Sequence, residues 1–252
     1  MTNNNIEKSK HVKLIACICI ILAIIISAGG LVGYKFIQHE KNQNARIQSL
    51  EERIGKLNAE IQYTSTKDVE WLDTGFNYLA IGNSITLHGL ASYWWNEVGM
   101  AASDIDHDYF HIVSSYLKSK NDEFLGQAYN FSVWETQSHD RDETLPYLDH
   151  YLSPNLNLVT IQLAENASDL TTYEADFVSL INYVKDKAPN ARILIIGDFW
   201  SKENRNELKI NAVNSTGVEF ISLEGIADNS DYYCGMGTVD DMDTSQPSNI
   251  LL

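Results

Sequence analysis

Cysteine is scarce in this chain, and its placement excludes more than its number does. Of three cysteines, Cys17 and Cys19 fall in one apolar run, which leaves only Cys234 for the remainder. A folded part with a single cysteine has no internal disulfide. No C-x-x-C pair, H-E-x-x-H helix, G-x-G-x-x-G turn or P-loop is present. Zinc, dinucleotide and nucleoside-triphosphate chemistry therefore have no support, and no cofactor or metal is expected. Positive charge is also short: 18 Lys and Arg stand against 34 Asp and Glu, a net charge of −16. Phosphates would be repelled, so nucleic acid is not an expected partner, and a soluble acidic ectodomain accounts for the balance.

What is present begins with "LIACICIILAIIISAGGLVG", Leu14 to Gly33. It runs for about 20 residues without a charge, the length that crosses a hydrocarbon core. Lys8, Lys10 and Lys13 precede it, which favours a cytoplasmic N-terminus and an extracytoplasmic remainder. A cleaved signal peptide is the competing reading, with Ser27-Ala28 as its cleavage site. The continuation of the run to Gly33 favours an uncleaved anchor. Cys17 of "LIAC" stands at the start of the run rather than after it, which argues against lipidation there.

Next comes "NARIQSLEERIGKLNAEIQ", in which Ile47, Leu50, Ile54, Leu57 and Ile61 recur at alternating spacings of three and four. That is the seam of a coiled coil, and Ile at a with Leu at d favours two parallel strands. A homodimer through this stalk and a single amphipathic spacer helix explain the pattern equally. The expected organisation is a cytoplasmic segment 1–13, a transmembrane helix 14–33, a helical stalk 34–66 and a domain 67–252.

Within the domain, short apolar runs at 77–81, 127–133, 157–163, 191–199 and 218–223 alternate with helical patterns at 107–120, 172–189 and 202–217. Runs of this kind read as buried parallel strands. Alternation with helices predicts an α/β fold, a three-layer α/β/α sandwich around a five-stranded parallel sheet. Ligands in such sheets bind at the carboxyl ends of the strands, where Ser84 of "NYLAIGNSITLHG" falls. "DIDHD", Asp104 to Asp108, resembles the start of a calcium loop but lacks the glycine and the terminal glutamate. Acidic residues at a helix N-terminus explain it better. "DDMD" at 240–243 reads as a solvated acidic stretch.

"GNSIT" at the end of the first strand resembles block I of the SGNH, or GDSL-type, hydrolases, with Asn83 where the family usually has Asp. "IQLAENAS" after the third strand resembles the family's Gly-x-Asn block, with Asn166 at the Asn and Ala164 in place of the Gly. "YNFSVWE" follows the second strand, where the family's oxyanion Gly would fall near Trp134-Glu135, a poor match. "YWWNEVGMAAS" and "IIGDFW" are similar to a GNSIT-containing bacterial branch. The resemblance spans roughly Asn77 to Leu223. It implies a flavodoxin-like SGNH hydrolase fold with Ser84 as nucleophile. It also implies an oxyanion site made by the Ser84 N–H, an N–H of the second loop and the Asn166 side-chain amide. His88, Trp134, Glu135 and Trp200 are the candidate substrate-lining residues. The competing role for Ser84 is a helix N-cap, and for Asn166 a loop cap.

The family's general base is a His in a D-x-x-H block near the C-terminus, before a last helix. This sequence has no His after His150, although Asp240, Asp241 and Asp243 are present. A truncated sequence, a natural pseudoenzyme and a substitute His are the three explanations, ranked in that order. The expected activity is that of a membrane-anchored, extracytoplasmic serine esterase on a small acyl ester or an O-acylated cell-surface glycan. The alternatives are a non-catalytic glycan-binding module and an O-acyltransferase that uses the same Ser.

Overall fold

The computed structural model describes residues 34–47, 49–50, 53–90, 94, 96–100, 102–200, 204–226 and 228–229. The apolar run Leu14–Gly33 and the acidic stretch 240–243 lie outside them. Among the described residues, no helix is long and apolar enough to cross a membrane. The chain divides into two compact units, Met1–Ile54 and Gly55–Leu252.

In the first unit the described residues are helical, and Ile47, Leu50 and Ile54 of the seam are exposed. In the second, helix continues to residue 65. Its Leu57 and Ile61 are also exposed, while Ala59 and Tyr63 pack on the core of the domain. Tyr63 sits 5.2 Å from the Tyr147 ring and 4.7 Å from the His150 ring. The last turns of the predicted stalk are thus fastened to the domain along one face and bare along the seam.

The sheet has five parallel strands, β1 (Phe76–Gly82), β2 (Phe124–Asn130), β3 (Leu158–Gln162), β4 (Arg192–Ile196) and β5 (Glu219–Ile221). Their spatial order is β2-β1-β3-β4-β5, that of the flavodoxin-like sheets. Five helices connect them: α1 (Tyr109–Lys118), α2 (Ser132–Thr136), α3 (Arg141–Thr144), α4 (Tyr173–Lys187) and α5 (Arg205–Thr216).

Side chains alternate across a strand, and the core divides accordingly. Leu79, Ile81, Val159, Ile161, Ile193 and Ile195 face α4 and α5, whose Phe177, Leu180, Ile181, Val184, Ala212 and Val213 complete the larger cluster. Tyr78, Ala80, Ala128 and Leu158 face the opposite way, onto Phe110 of α1. Helices therefore cover both faces. Strand β2 starts and ends three residues before the apolar run 127–133. The Asn130 side chain accepts from Ser132 N at 3.0 Å, a local turn that redirects the chain into α2.

Asp108 caps α1 by accepting from His111 N at 2.6 Å, as the helix reading of "DIDHD" requires. At the far end of α5, Gly217 adopts φ 71°, a left-handed terminus that a glycine accepts without steric cost.

Candidate active site

Gly82 and Asn83 of "GNSIT" have local reasons to be where they are. A Cβ on Gly82 would lie 1.8 Å from Thr86 Oγ1 and 2.8 Å from Gln162 O, so only glycine lets the chain fold back on the end of β1. Asn83 accepts from Ile85 N at 2.9 Å through its side chain, and its carbonyl accepts from Thr86 N and Leu87 N. The turn is therefore capped by Asn83, and the residues that follow Ser84 form a turn rather than a helix. The helix-cap role considered for Ser84 does not apply. Ser84 is half-buried beside buried Asn83, and its carbonyl accepts from Met100 N at 2.8 Å.

Asn83 also reaches across the mouth of the sheet. Its Nδ2 donates to Glu135 Oε1 at 3.1 Å and to Glu165 Oε2 at 2.8 Å. Asn166 Nδ2 donates to the other oxygen, Glu135 Oε2, at 2.6 Å. The backbone N–H of Ala164 also donates to Glu135 Oε1. Strands β1 and β3 are neighbours, with Gly82 in register with Gln162. The residue before Ser84 and the predicted oxyanion residue thus share one carboxylate at the carboxyl ends of adjacent strands. Three loops, after β1, β2 and β3, close on it.

Glu135 is almost fully buried. Burial pushes its carboxyl up to about 7, and the charge of Glu165 adds to this, against the pull of the Asn166, Asn83 and Ala164 N–H groups. On the other side of the turn, Arg205 Nη1 donates to Ala164 O at 3.1 Å and to Glu165 O at 3.2 Å. Asp198 holds Arg205, with Nε 2.8 Å from Oδ2, and Lys209, with Nζ 2.5 Å from Oδ1. Ala164 lies at φ 148°, the one non-glycine with positive φ among the described residues. This is where the resembled block carries glycine, and the backbone shows why glycine suits it.

Two of the predicted substrate-lining residues are not lining. Trp134 is fully buried, edge-on to Tyr173 and Phe177 with centroids 5.7 and 5.5 Å away and with Arg141 over its face. Its bulk serves the core. Glu135 is buried among its donors and presents no open face. Trp200 is half-buried within the loop after β4, edge-on to Phe199 at 4.8 Å. Phe199 N donates to Glu165 Oε1 at 3.2 Å, which sets this loop on the rim of the cluster. His88 is half-buried in the loop after Ser84, its N–H bonded to Val98 O at 3.0 Å. Of the other described imidazoles, those of His107, His111 and His150 pair with Asp104, Asp108 and Asp68. In the second loop, the N–H groups of Phe131, Ser132 and Trp134 are taken by Gly82 O, Asn130 Oδ1 and Phe131 O.

A cavity of about 460 Å³ lies at the other end of the sheet, among residues that lead into β4 and β5, such as Pro189, Arg192 and Glu219. Its polar groups are already engaged: Lys185 donates to Thr216 O, and Arg192 to Glu219. The chemistry-bearing residues cluster at the carboxyl end instead.

No protein-family model matches this chain, and no curated protein matches it. Among solved structures it is similar to phospholipase A1 from Streptomyces albidoflavus NA297, with a TM-score of 0.35 and 13% identity, over 63% of this chain and 82% of that one. A likeness this faint carries no argument about activity, so the functional reading stands on the residues at the mouth of the sheet.

Proposed function

We propose that this chain is an SGNH-type serine hydrolase of O-acyl esters. One observation carries the reading: Asn83 and Asn166, from the loops after β1 and β3, bind opposite oxygens of the same carboxylate. Ser84 follows Asn83 directly, which supports a hydroxyl and a side-chain amide serving one mouth of the parallel sheet. In acyl transfer the hydroxyl attacks the ester carbonyl, and the oxygen that gains charge needs donors already aimed at it. Ser84 suits the first task and Asn166 the second. The rim aromatic Trp200 and His88 would flank a small acyl ester or an acylated sugar. The uncharged run Leu14–Gly33 supports an anchored position beside the cell envelope, with O-acylated surface glycans as the substrate class. The bare seam from Ile47 to Ile61 supports pairing of two stalks.

The test is hydrolysis of p-nitrophenyl acetate by the purified chain and by Ser84→Ala. Turnover by the wild type well above that of the variant is expected; equal rates would remove the enzymatic claim. A second reading, a glycan-binding module using the same mouth, is favoured by the pairing of His107, His111 and His150 with carboxylates of their own. It requires acylated-glycan binding that survives Ser84→Ala, with no turnover in either protein.

A further inference from the structure

We infer that Glu135 is a positioning residue of this site: its carboxylate orients the Asn166 amide and fixes Asn83, and with it the start of the Ser84 turn, to a common acceptor. The inference rests on the hydrolase reading for what the Asn166 amide does, and on geometry for where it points.

Asn166 is exposed, and an exposed Asn side chain in water samples several rotamers. A donor that must meet a developing charge has to be held before the charge appears. The amide group is planar, so a bond from one Nδ2 hydrogen to Glu135 Oε2 at 2.6 Å also sets the direction of the second hydrogen. A carboxylate is the stronger acceptor for this purpose, and it offers an oxygen to each Asn. The bonded partners stand 52 and 31 residues from Glu135, so no local turn geometry would hold them together. Arg205 grips the carbonyls of the same turn from α5, which leaves the Ala164–Asn166 segment fastened on two sides.

The charged and titratable groups around the carboxylate come from each packed element. Glu165 shares the Asn83 amide. Tyr173 of α4 packs on Trp134, and Arg141 of α3 donates Nε to Trp134 O at 3.2 Å. Arg205 and Asp198 lie behind the turn. Burial and Glu165 together bring the Glu135 carboxyl to about 7, so its hold on both amides changes within the neutral range.

The experiment follows the side-chain amide resonances of Asn166 and Asn83 in the isotopically labelled full chain in detergent, from pH 5 to 9. The resonances are assigned in the wild type by through-bond correlation of each side-chain amide to its own backbone. Both amide pairs are expected to shift with one shared midpoint, and Glu135→Gln to abolish that titration. Amides that stay still in the wild type, titrate with different midpoints, or still titrate in Glu135→Gln overturn the inference; the wild-type titration needs no variant to fold. With p-nitrophenyl acetate, Glu135→Gln should lower kcat on the order of a hundredfold with KM unchanged. Asn166→Ala should do the same, and the double variant should lose no more than either single one. An unchanged kcat in Glu135→Gln would also overturn the inference. If the wild type shows no Ser84-dependent turnover, the hydrolase reading fails, and the amide titration still decides the positioning role.

Discussion

Replacing Glu135 by Gln should flatten the dependence of folding stability on pH between about 5 and 8. The carboxyl titrates near 7 in the folded chain against an ordinary value of 4.5, a separation of about 2.5 pH units. As pH rises through this window the unfolded chain ionises first, and the folded chain holds the extra proton. Stability is therefore greatest below 4.5, falls as pH climbs, and levels off once the folded carboxyl has ionised above 7. At about 1.4 kcal/mol per unit, the loss is about 3 kcal/mol. The group is buried, so solvent screening removes little of it. Urea denaturation of wild type and Glu135→Gln, followed by tryptophan fluorescence at pH 5, 6, 7 and 8, reads the difference directly. Every other titrating group is common to both proteins and cancels. The gap between the two stability curves should change by about 2.5 kcal/mol from pH 5 to pH 8, the part of the loss that falls inside the series. Curves that run parallel to within about 0.5 kcal/mol would refute the account of Glu135 as a buried carboxyl that ionises at a cost.

Further outcomes follow from contacts at the same mouth. Gly82→Ala drives a methyl onto Thr86 Oγ1, 1.8 Å away, and toward the backbone oxygen of Gln162; a loss of about 2–3 kcal/mol in chemical denaturation is expected. Ala164→Gly removes a fully buried methyl from a residue at φ 148°; relieved strain is offset by lost burial and added chain entropy, so stability should change by less than about 1 kcal/mol. Lys209→Met takes one cation from buried Asp198 and leaves only Arg205 beside it; a loss of about 3 kcal/mol is expected by the same measurement.

The sheet was legible because β1 and β3 are apolar runs buried on both sides, and β4 carries an apolar run buried along one face. The runs overstated two strand ends for a single physical reason: polar side chains there bind locally or bind helices. Asn130 turns the chain after β2, and Asp198 is drawn to Arg205 and Lys209 of α5 rather than continuing β4. Ser84 and Asn166 could be singled out as candidates because their order and strand positions survive in one dimension. The bonds that Glu135 accepts could not, since its partners come from loops far apart in the chain. Trp134 misled for the converse reason. Its sequence neighbours give no sign of Tyr173 and Phe177, which reach it from α4 and bury it.

Strand β1 sits between β2 and β3, and the chain leaves it along one face of the sheet through α1 while it leaves β3 along the other through α4. Two departing segments that part in opposite directions open a notch between them that neither backbone can close. Ser84 stands at one lip of that notch and Asn166 at the other. The opening is therefore a property of connectivity, and substitutions that reshape its walls can alter what enters without removing the entrance.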